Sequence, residues 1–108
     1  SYMAPERIRG KPGGPASDQF SLGVLLYEAG AGFNPFYGDS PEARISKSLA
    51  ETPPPLAETA REFPADVSDL VARMMAKDEA GRFGSMDEVA DRMVEMGARA
   101  GLQLRRFR

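Results

Sequence analysis

The side chains that carry most enzyme chemistry are unevenly represented in this sequence. It contains no histidine and no cysteine, so it lacks the commonest general base, the commonest metal ligand and the thiol nucleophile. A histidine-dependent catalytic triad and a disulfide framework are therefore excluded within its 108 residues. The chemistry that remains open depends on carboxylates, arginines and backbone groups.

A group of carboxylates in the second half of the chain occupies positions that a helix would expose to water. Five lie at expected helix starts or on polar faces: Asp66, Asp69, Asp87, Glu88 and Asp91. Solvation and the helix dipole account for such positions, so we expect no metal cluster. The stretch GKPGG at 10–14 is interpreted as a plain loop, because a P-loop needs a preceding strand and a Lys-Ser/Thr pair entering a helix.

Three charged residues are less easily assigned to solvent. Asp18 precedes the most apolar stretch of the chain, where it serves either as a helix cap or as an acceptor for backbone N–H groups of another segment. Glu6 and Arg82 each lie in a loop among apolar neighbours. They are either two solvated charges or a buried bidentate pair that joins distant loops. The residue pattern alone leaves these alternatives open.

The element next to Asp18 is an unusually apolar helix. It is expected to start near Ser17 or Asp18 and to stop at the glycines at 30 and 32. Its apolar residues point in almost every direction: Phe20, Leu22, Val24, Leu25, Leu26, Tyr27 and Ala29. A helix of this kind must be covered on all sides.

Three further helices follow. Ser40-Pro41 predicts a helix at about 41–51, since proline suits the first helical position. Apolar residues at helical spacing predict another at Ala65–Ala76. A capping box from Ser85 to Glu88 begins the last one.

Long loops separate these helices. Residues 7–16 are rich in glycine and proline and residues 53–64 in proline, and no segment alternates as a strand would. The predicted fold class is mainly α, with about four helices and long loops. Such loops beside one over-apolar helix are not typical of an independent bundle, so we expect a piece of a larger domain.

Charge and hydropathy narrow the possible partners. The net charge of −2 does not favour nucleic acid, and the longest strongly apolar run, Leu22–Ala31, is too short to span a membrane. No basic-then-apolar leader precedes it, so we expect a cytoplasmic protein. Residues 97–108 form a basic tail or linker, with four arginines in the last ten positions. Nucleic-acid binding through this tail is a further alternative, and it is the one that the sequence favours least.

Four stretches belong together: YMAPE at 2–6, DQFSLGVLLYE at 18–28, NPFYG at 34–38 and AKDEAGRFGSMDEV at 76–89. In this order they resemble the C-terminal lobe of a eukaryotic-type serine/threonine protein kinase. The first matches the Ala-Pro-Glu motif that closes the activation segment, and the second the central lobe helix. The third matches the Pro-Phe loop after that helix, and the fourth the Lys-Asp-Pro-x-x-Arg stretch. TPPPL at 52–56 is most similar to bacterial members.

The resemblance implies a role for five residues. Glu6 would pair with Arg82 and tie the activation segment to the lobe. Asp18 would accept hydrogen bonds from the backbone of the catalytic loop. Tyr2 would line the floor of the substrate site, and Glu28 would contact a basic substrate side chain. The apolar face of the central helix would anchor residues stacked toward the ATP site.

The resemblance covers residues 1–96 as a partial kinase domain, with two small departures. Phe20 replaces the usual tryptophan, and Glu79-Ala80 replaces a proline stretch. The glycine-rich loop, the strand lysine, the His-Arg-Asp loop and Asp-Phe-Gly all precede Ala-Pro-Glu in this family and match nothing here. We therefore expect no catalytic, cofactor-binding or metal-binding residue in this chain. ATP and magnesium are expected for the parent kinase.

The sequence is compatible with two functions. In the first, the chain is the platform and part of the substrate-docking surface of a kinase that transfers the ATP γ-phosphoryl to protein Ser/Thr, and is inactive alone. Its partners would be the upstream N-lobe and catalytic loop and a protein substrate. In the alternative, a non-catalytic kinase remnant binds a protein partner through a groove around Phe33, Phe36, Tyr37 and the helix at 41–51.

Overall fold

The computed structural model describes the backbone of residues 2–106 and the side chains of residues 2–97. Its six helices are α1 (Pro5–Ile8), α2 (Pro15–Ala31), α3 (Pro41–Ala50), α4 (Leu56–Thr59), α5 (Ala65–Met74) and α6 (Met86–Arg106), with a 3-10 turn at Glu79–Gly81. The described residues contain no strand. The mainly α fold class is therefore confirmed: four helices are long, and two are single turns.

The central helix α2 begins earlier than the sequence predicted. Gly14 is its N-cap and Pro15 its first residue, because a proline with fixed φ and no N–H fits that position. Asp18 thus lies inside the first turn, where its N–H bonds to the carbonyl of Gly14, and it is not the cap. The end is as predicted: Gly32 adopts φ +88° and its N–H bonds to the carbonyl of Glu28.

Other elements differ from the prediction in length. No helix was predicted where α1 and α4 form. α1 spans the end of YMAPE and the start of the loop predicted at 7–16, and α4 lies within the loop predicted at 53–64. α6 continues to Arg106, so the boundary predicted at 96–97 falls inside a helix. The side chains of its last arginines, and Arg108 itself, lie outside the described residues.

The core is built around α2, which packs against α4, α5 and α6. One buried cluster consists of Ala4, Phe20, Val24, Tyr27, Phe36, Leu56, Ala60, Val71 and Met75, and a second of Leu70, Met74, Phe83 and Val89. Gly23 permits the close approach of α5, since a Cβ there would lie 2.9 Å from Met75 Cγ and 3.0 Å from Met74 Cβ. Most of the circumference of α2 is covered in this way.

Candidate functional site

Glu6 and Arg82 form a buried ion pair across the length of the chain. Glu6 belongs to α1, and Arg82 directly follows the 3-10 turn. Arg82 Nη1 donates to Glu6 Oε2 at 2.7 Å, and Nη2 donates to Oε1 at 2.9 Å. The two residues are only 5% and 3% exposed. The structure therefore brings them together as a bidentate pair.

The remaining polar atoms of this pair also have partners. Ser17 Oγ donates to Glu6 Oε2 at 2.8 Å. Arg82 Nε donates to the Ala76 carbonyl at 2.8 Å, and its Nη1 donates to the Ala16 carbonyl at 2.9 Å. A buried ion pair is tolerated when its other lone pairs and protons are bonded in this way. The network, called the clamp below, joins α1, the start of α2 and the loop that follows α5.

The clamp favours the ionised form of Glu6. Hydrogen bonds from Arg82 lower the pKa of the Glu6 carboxyl from 4.5 to about 2, against the opposing effect of burial. Bonds from the backbone and Ser17 act in the same direction. Glu6 therefore carries its charge at any pH near neutrality.

A second buried contact, between Gln19 and Phe83, was not predicted from the sequence and is called the brace below. The Gln19 side chain donates to the Phe83 carbonyl at 3.1 Å and accepts from the Phe83 N–H at 2.9 Å. Gln19 is 1% exposed. A lone amide within an apolar stretch was the available signal, because a buried amide must be hydrogen-bonded. Clamp and brace hold consecutive residues of the same loop against α2.

Tyr2 and Glu28 also meet. The Tyr2 hydroxyl donates to Glu28 Oε1 at 2.8 Å and lies 3.0 Å from Oε2. This bond raises the pKa of the Tyr2 hydroxyl above its usual 10.0. Ser21 Oγ donates to the Tyr2 carbonyl at 2.6 Å. The pair lies at the surface, where a carboxylate with an oriented partner is available to a ligand.

Asp18 lies on an open cleft together with Tyr2, Arg7 and Ser21. Its side chain is exposed, and within the described residues nothing hydrogen-bonds to its carboxylate. The structure thus places Asp18 beside the Tyr2 segment but does not bring it into the clamp. An exposed carboxylate at such a cleft is an available acceptor for another chain segment.

The groove of the alternative function is not formed as expected. Phe36 is 2% exposed and stacks on Phe20, with ring centroids 5.9 Å apart. Phe33 and Tyr37 are 50% and 59% exposed. Phe36 belongs to the core because burying an aromatic ring against another is favourable, so only the two flanking rings remain at the surface.

The acidic residues that the sequence assigned to helix starts and polar faces lie on α5 and α6. In the part of the chain that the structure describes, no group of three or more acidic side chains is arranged to hold a metal ion. Among the same residues, no helix combines the length and the apolarity needed to cross a bilayer.

The described residues thus form a helical lobe in which Glu6, near the start of the chain, is paired with Arg82, near its end. The family model described as "Protein kinase domain" matches residues 1–94. The chain belongs to the protein kinase family, and its relatives are eukaryotic-type serine/threonine kinases.

The chain is similar to several larger kinases. It is 38% identical over 97 residues to the serine/threonine-protein kinase PknA of Mycobacterium tuberculosis, covering 90% of this chain and 22% of that protein. A probable serine/threonine-protein kinase of Clostridium perfringens is 33% identical over 88 residues, with 82% and 13% covered. The autoinhibited serine kinase domain of titin superposes with a TM-score of 0.74 at 26% identity, covering 84% of this chain and 28% of that one. The chain therefore spans about a fifth of the mycobacterial relative.

Proposed function

We propose that this chain is the part of a serine/threonine protein kinase that fixes the end of the activation segment and contributes to the protein-substrate surface. The parent kinase transfers the γ-phosphoryl of ATP to a Ser or Thr hydroxyl. These residues supply support for that reaction, and the segments that bind ATP and magnesium come from the parent.

The clamp is the observation that carries this proposal. Kinase catalysis is almost entirely positioning and electrostatic stabilisation, so a segment that touches no phosphate still contributes by holding the substrate-facing loop. Glu6 lies four residues after Tyr2, and its two bonds to Arg82 span 76 positions. A loop fixed in this way presents the Tyr2 segment in one orientation.

The docking part of the proposal concerns three polar groups at the surface. Glu28 offers a carboxylate that the Tyr2 hydroxyl already orients, which suits a basic side chain of the substrate. Asp18 lies on the neighbouring cleft, where it would accept backbone hydrogen bonds from the catalytic loop of the parent. The partners proposed are therefore the upstream lobe and a protein substrate with a basic residue near the phosphoacceptor.

The docking role is tested in the longer natural protein that contains this chain. Glu28→Gln keeps the shape and removes the charge, so KM should rise about tenfold for a peptide with arginine near the phosphoacceptor serine. For the matched alanine peptide KM should stay the same. Glu42→Gln, on the exposed side of α3, is the control and should alter neither value. Equal effects of Glu28→Gln on both peptides would remove Glu28 from the docking surface.

A remnant that binds a partner is the second candidate, and one observation favours it. Phe33 and Tyr37 expose half or more of their surface, as rings at a protein interface do, and the Tyr37 ring lies 5.8 Å from the guanidinium of Arg44 on α3. The coding sequence upstream of Ser1 separates the two functions. In-frame His-Arg-Asp and Asp-Phe-Gly motifs would support the kinase, and a start codon without them would support the remnant.

A further inference from the structure

A partly open cavity takes none of its lining from Glu6, Arg82, Tyr2 or Glu28. It adjoins the clamp at Ala76, whose carbonyl accepts from Arg82 Nε. It has a volume of about 190 Å³. Its apolar walls are Tyr27, Pro53, Pro54, Pro55, Leu56, Val71, Ala72, Met75 and Ala76, and its polar lining residues are Thr52, Ser68 and Lys77. The cavity lies between α2, α4, α5 and its following loop, and the three-proline segment before α4.

The walls of this cavity are fixed by hydrogen bonds. The Tyr27 hydroxyl donates to the Pro54 carbonyl at 2.8 Å and lies 3.0 Å from Thr59 Oγ1. Ser68 Oγ accepts from the Ala57 N–H at 3.0 Å. Cavities that are largely formed before binding are typical of small-molecule sites, so no folding step is needed before a ligand enters.

Lys77 supplies a positive charge to the cavity lining. Among the lining residues that the structure describes, it alone carries a charge at neutral pH. Its Nζ donates to the Ser48 carbonyl at 2.7 Å and lies 4.1 Å from the centre of the Phe36 ring. The same Nζ lies 5.8 Å from the centre of the Phe20 ring. An ammonium has three N–H donors, so its hydrogen bond to the Ser48 carbonyl leaves donors for a further acceptor.

The environment of Lys77 leaves its charge incompletely compensated. Burial lowers the pKa of its ammonium to about 8, the nearby charge of Glu51 opposes this, and Arg82 adds to it. Lys77 takes part in no salt bridge within the described residues. An anion at this position would offset the cost of removing the ammonium from water.

We propose that this cavity binds a small amphipathic carboxylate, its hydrocarbon body against the prolines and its carboxylate on Lys77 Nζ. An apolar cavity of about 150 Å³ accommodates benzene, so 190 Å³ suits a hydrocarbon body of about six carbons. The charge of Lys77 selects an anion over a neutral or cationic compound of equal size. The inference does not depend on the proposed kinase function.

The test uses the full chain and three probes of matched length: hexanoate, 1-hexanol and hexylamine. Amide and methyl chemical shifts are followed by NMR during titration at constant ionic strength. Hexanoate should bind saturably, at least tenfold more tightly than hexanol, which corresponds to about 1.4 kcal/mol, and hexylamine should bind least. The shifts should centre on Leu56, Val71 and Lys77. Equal affinity for hexanoate and hexanol, or shifts centred elsewhere, would overturn the proposal.

Variants separate the anion contact from the integrity of the cavity. Lys77→Met should weaken hexanoate at least tenfold and leave hexanol within about twofold, whereas Lys77→Arg should restore most of the hexanoate affinity. Lys47→Met, on α3 and outside the cavity, is the matched control and should change nothing. Ala72→Phe, at the rim, should weaken both probes.

Two results with these variants would contradict the proposal. One is hexanoate binding that survives Lys77→Met unchanged while hexanol binding shows that the cavity is intact. The other is a concentration-dependent shift of the cavity resonances without any probe, since that would identify a second copy of the chain as the occupant.

Discussion

At Glu6 the folded chain stabilises the charged carboxylate, and this makes stability depend on pH. The pKa of Glu6 falls from 4.5 to about 2 on folding, so its contribution is complete above about pH 5 and is lost as the pH falls toward 2. Between about pH 5 and pH 3 the loss should be about 2 kcal/mol of the free energy of unfolding.

Urea unfolding of the chain and of Glu6→Gln at several pH values measures this loss. The glutamine variant lacks the titrating group, so its stability should fall less over the same interval by about that amount. Other carboxylates titrate in both proteins and cancel in the difference. Parallel pH profiles would show that Glu6 is not held by Arg82.

Arg82 makes the complementary prediction. Arg82→Ala leaves the buried Glu6 carboxylate without its partner, so the free energy of unfolding should fall by about 3–5 kcal/mol. Arg92→Ala is the matched control, because its pair with Glu88 is 3.8 Å long and half exposed; its cost should be under about 1 kcal/mol. Similar effects of the two substitutions, measured by urea unfolding, would argue against a buried clamp.

The residues of the site were predictable to different degrees. Local pattern left Glu6 and Arg82 open, since a contact across 76 positions leaves no periodic signal, and only the order of the motifs suggested their pairing. The amide of Gln19 indicated a need for hydrogen bonds, but its partners are backbone atoms of Phe83. Every residue type carries these atoms, so the sequence did not indicate which residue Gln19 would contact. Asp18 is not the cap of α2 because the helix begins earlier, at Pro15, which suits the first helical position.

At the scale of elements, helices with strong periodicity or clear caps were predictable. α3 begins at the Ser40 cap, whose Oγ accepts from the Ala43 N–H at 3.1 Å, as its sequence indicated. The short helices α1 and α4 were not predictable. A single turn forms too few hydrogen bonds to offset the free energy of helix nucleation, so it depends on tertiary contacts. Leu56, at the start of α4, is 1% exposed and supplies such a contact.

The packing of α2 on α5 gives a prediction about one glycine. A leucine at Gly23 would meet Met74 and Met75 within about 3.0 Å, so Gly23→Leu should lower the free energy of unfolding by about 2–3 kcal/mol. A Cβ added at Gly97, on α6, would have no neighbour within 4 Å, so Gly97→Leu should be neutral or stabilising by up to about 1 kcal/mol. Thermal unfolding of both variants measures the contrast, and equal melting temperatures would contradict the close approach at Gly23.

At the scale of the whole molecule, the sequence indicated an apolar helix in need of cover, and the structure supplies most of it. Phe20 and Val24 are fully buried, whereas Leu25 on the same helix remains 51% exposed. The family match reaches residue 94, yet the chain spans 28% of the titin kinase domain it superposes on. We propose that Leu25 packs against the remainder of the parent kinase.

The central claim is that these residues support phosphoryl transfer without performing it. The most direct measurement is the transfer of labelled phosphate from Mg-ATP to a serine peptide by the purified 108-residue chain, beside the longer parent kinase proposed above. We predict transfer by the longer protein and none above the buffer control by the chain. ATP-dependent phosphorylation by the chain itself, in preparations free of other kinases, would contradict this claim.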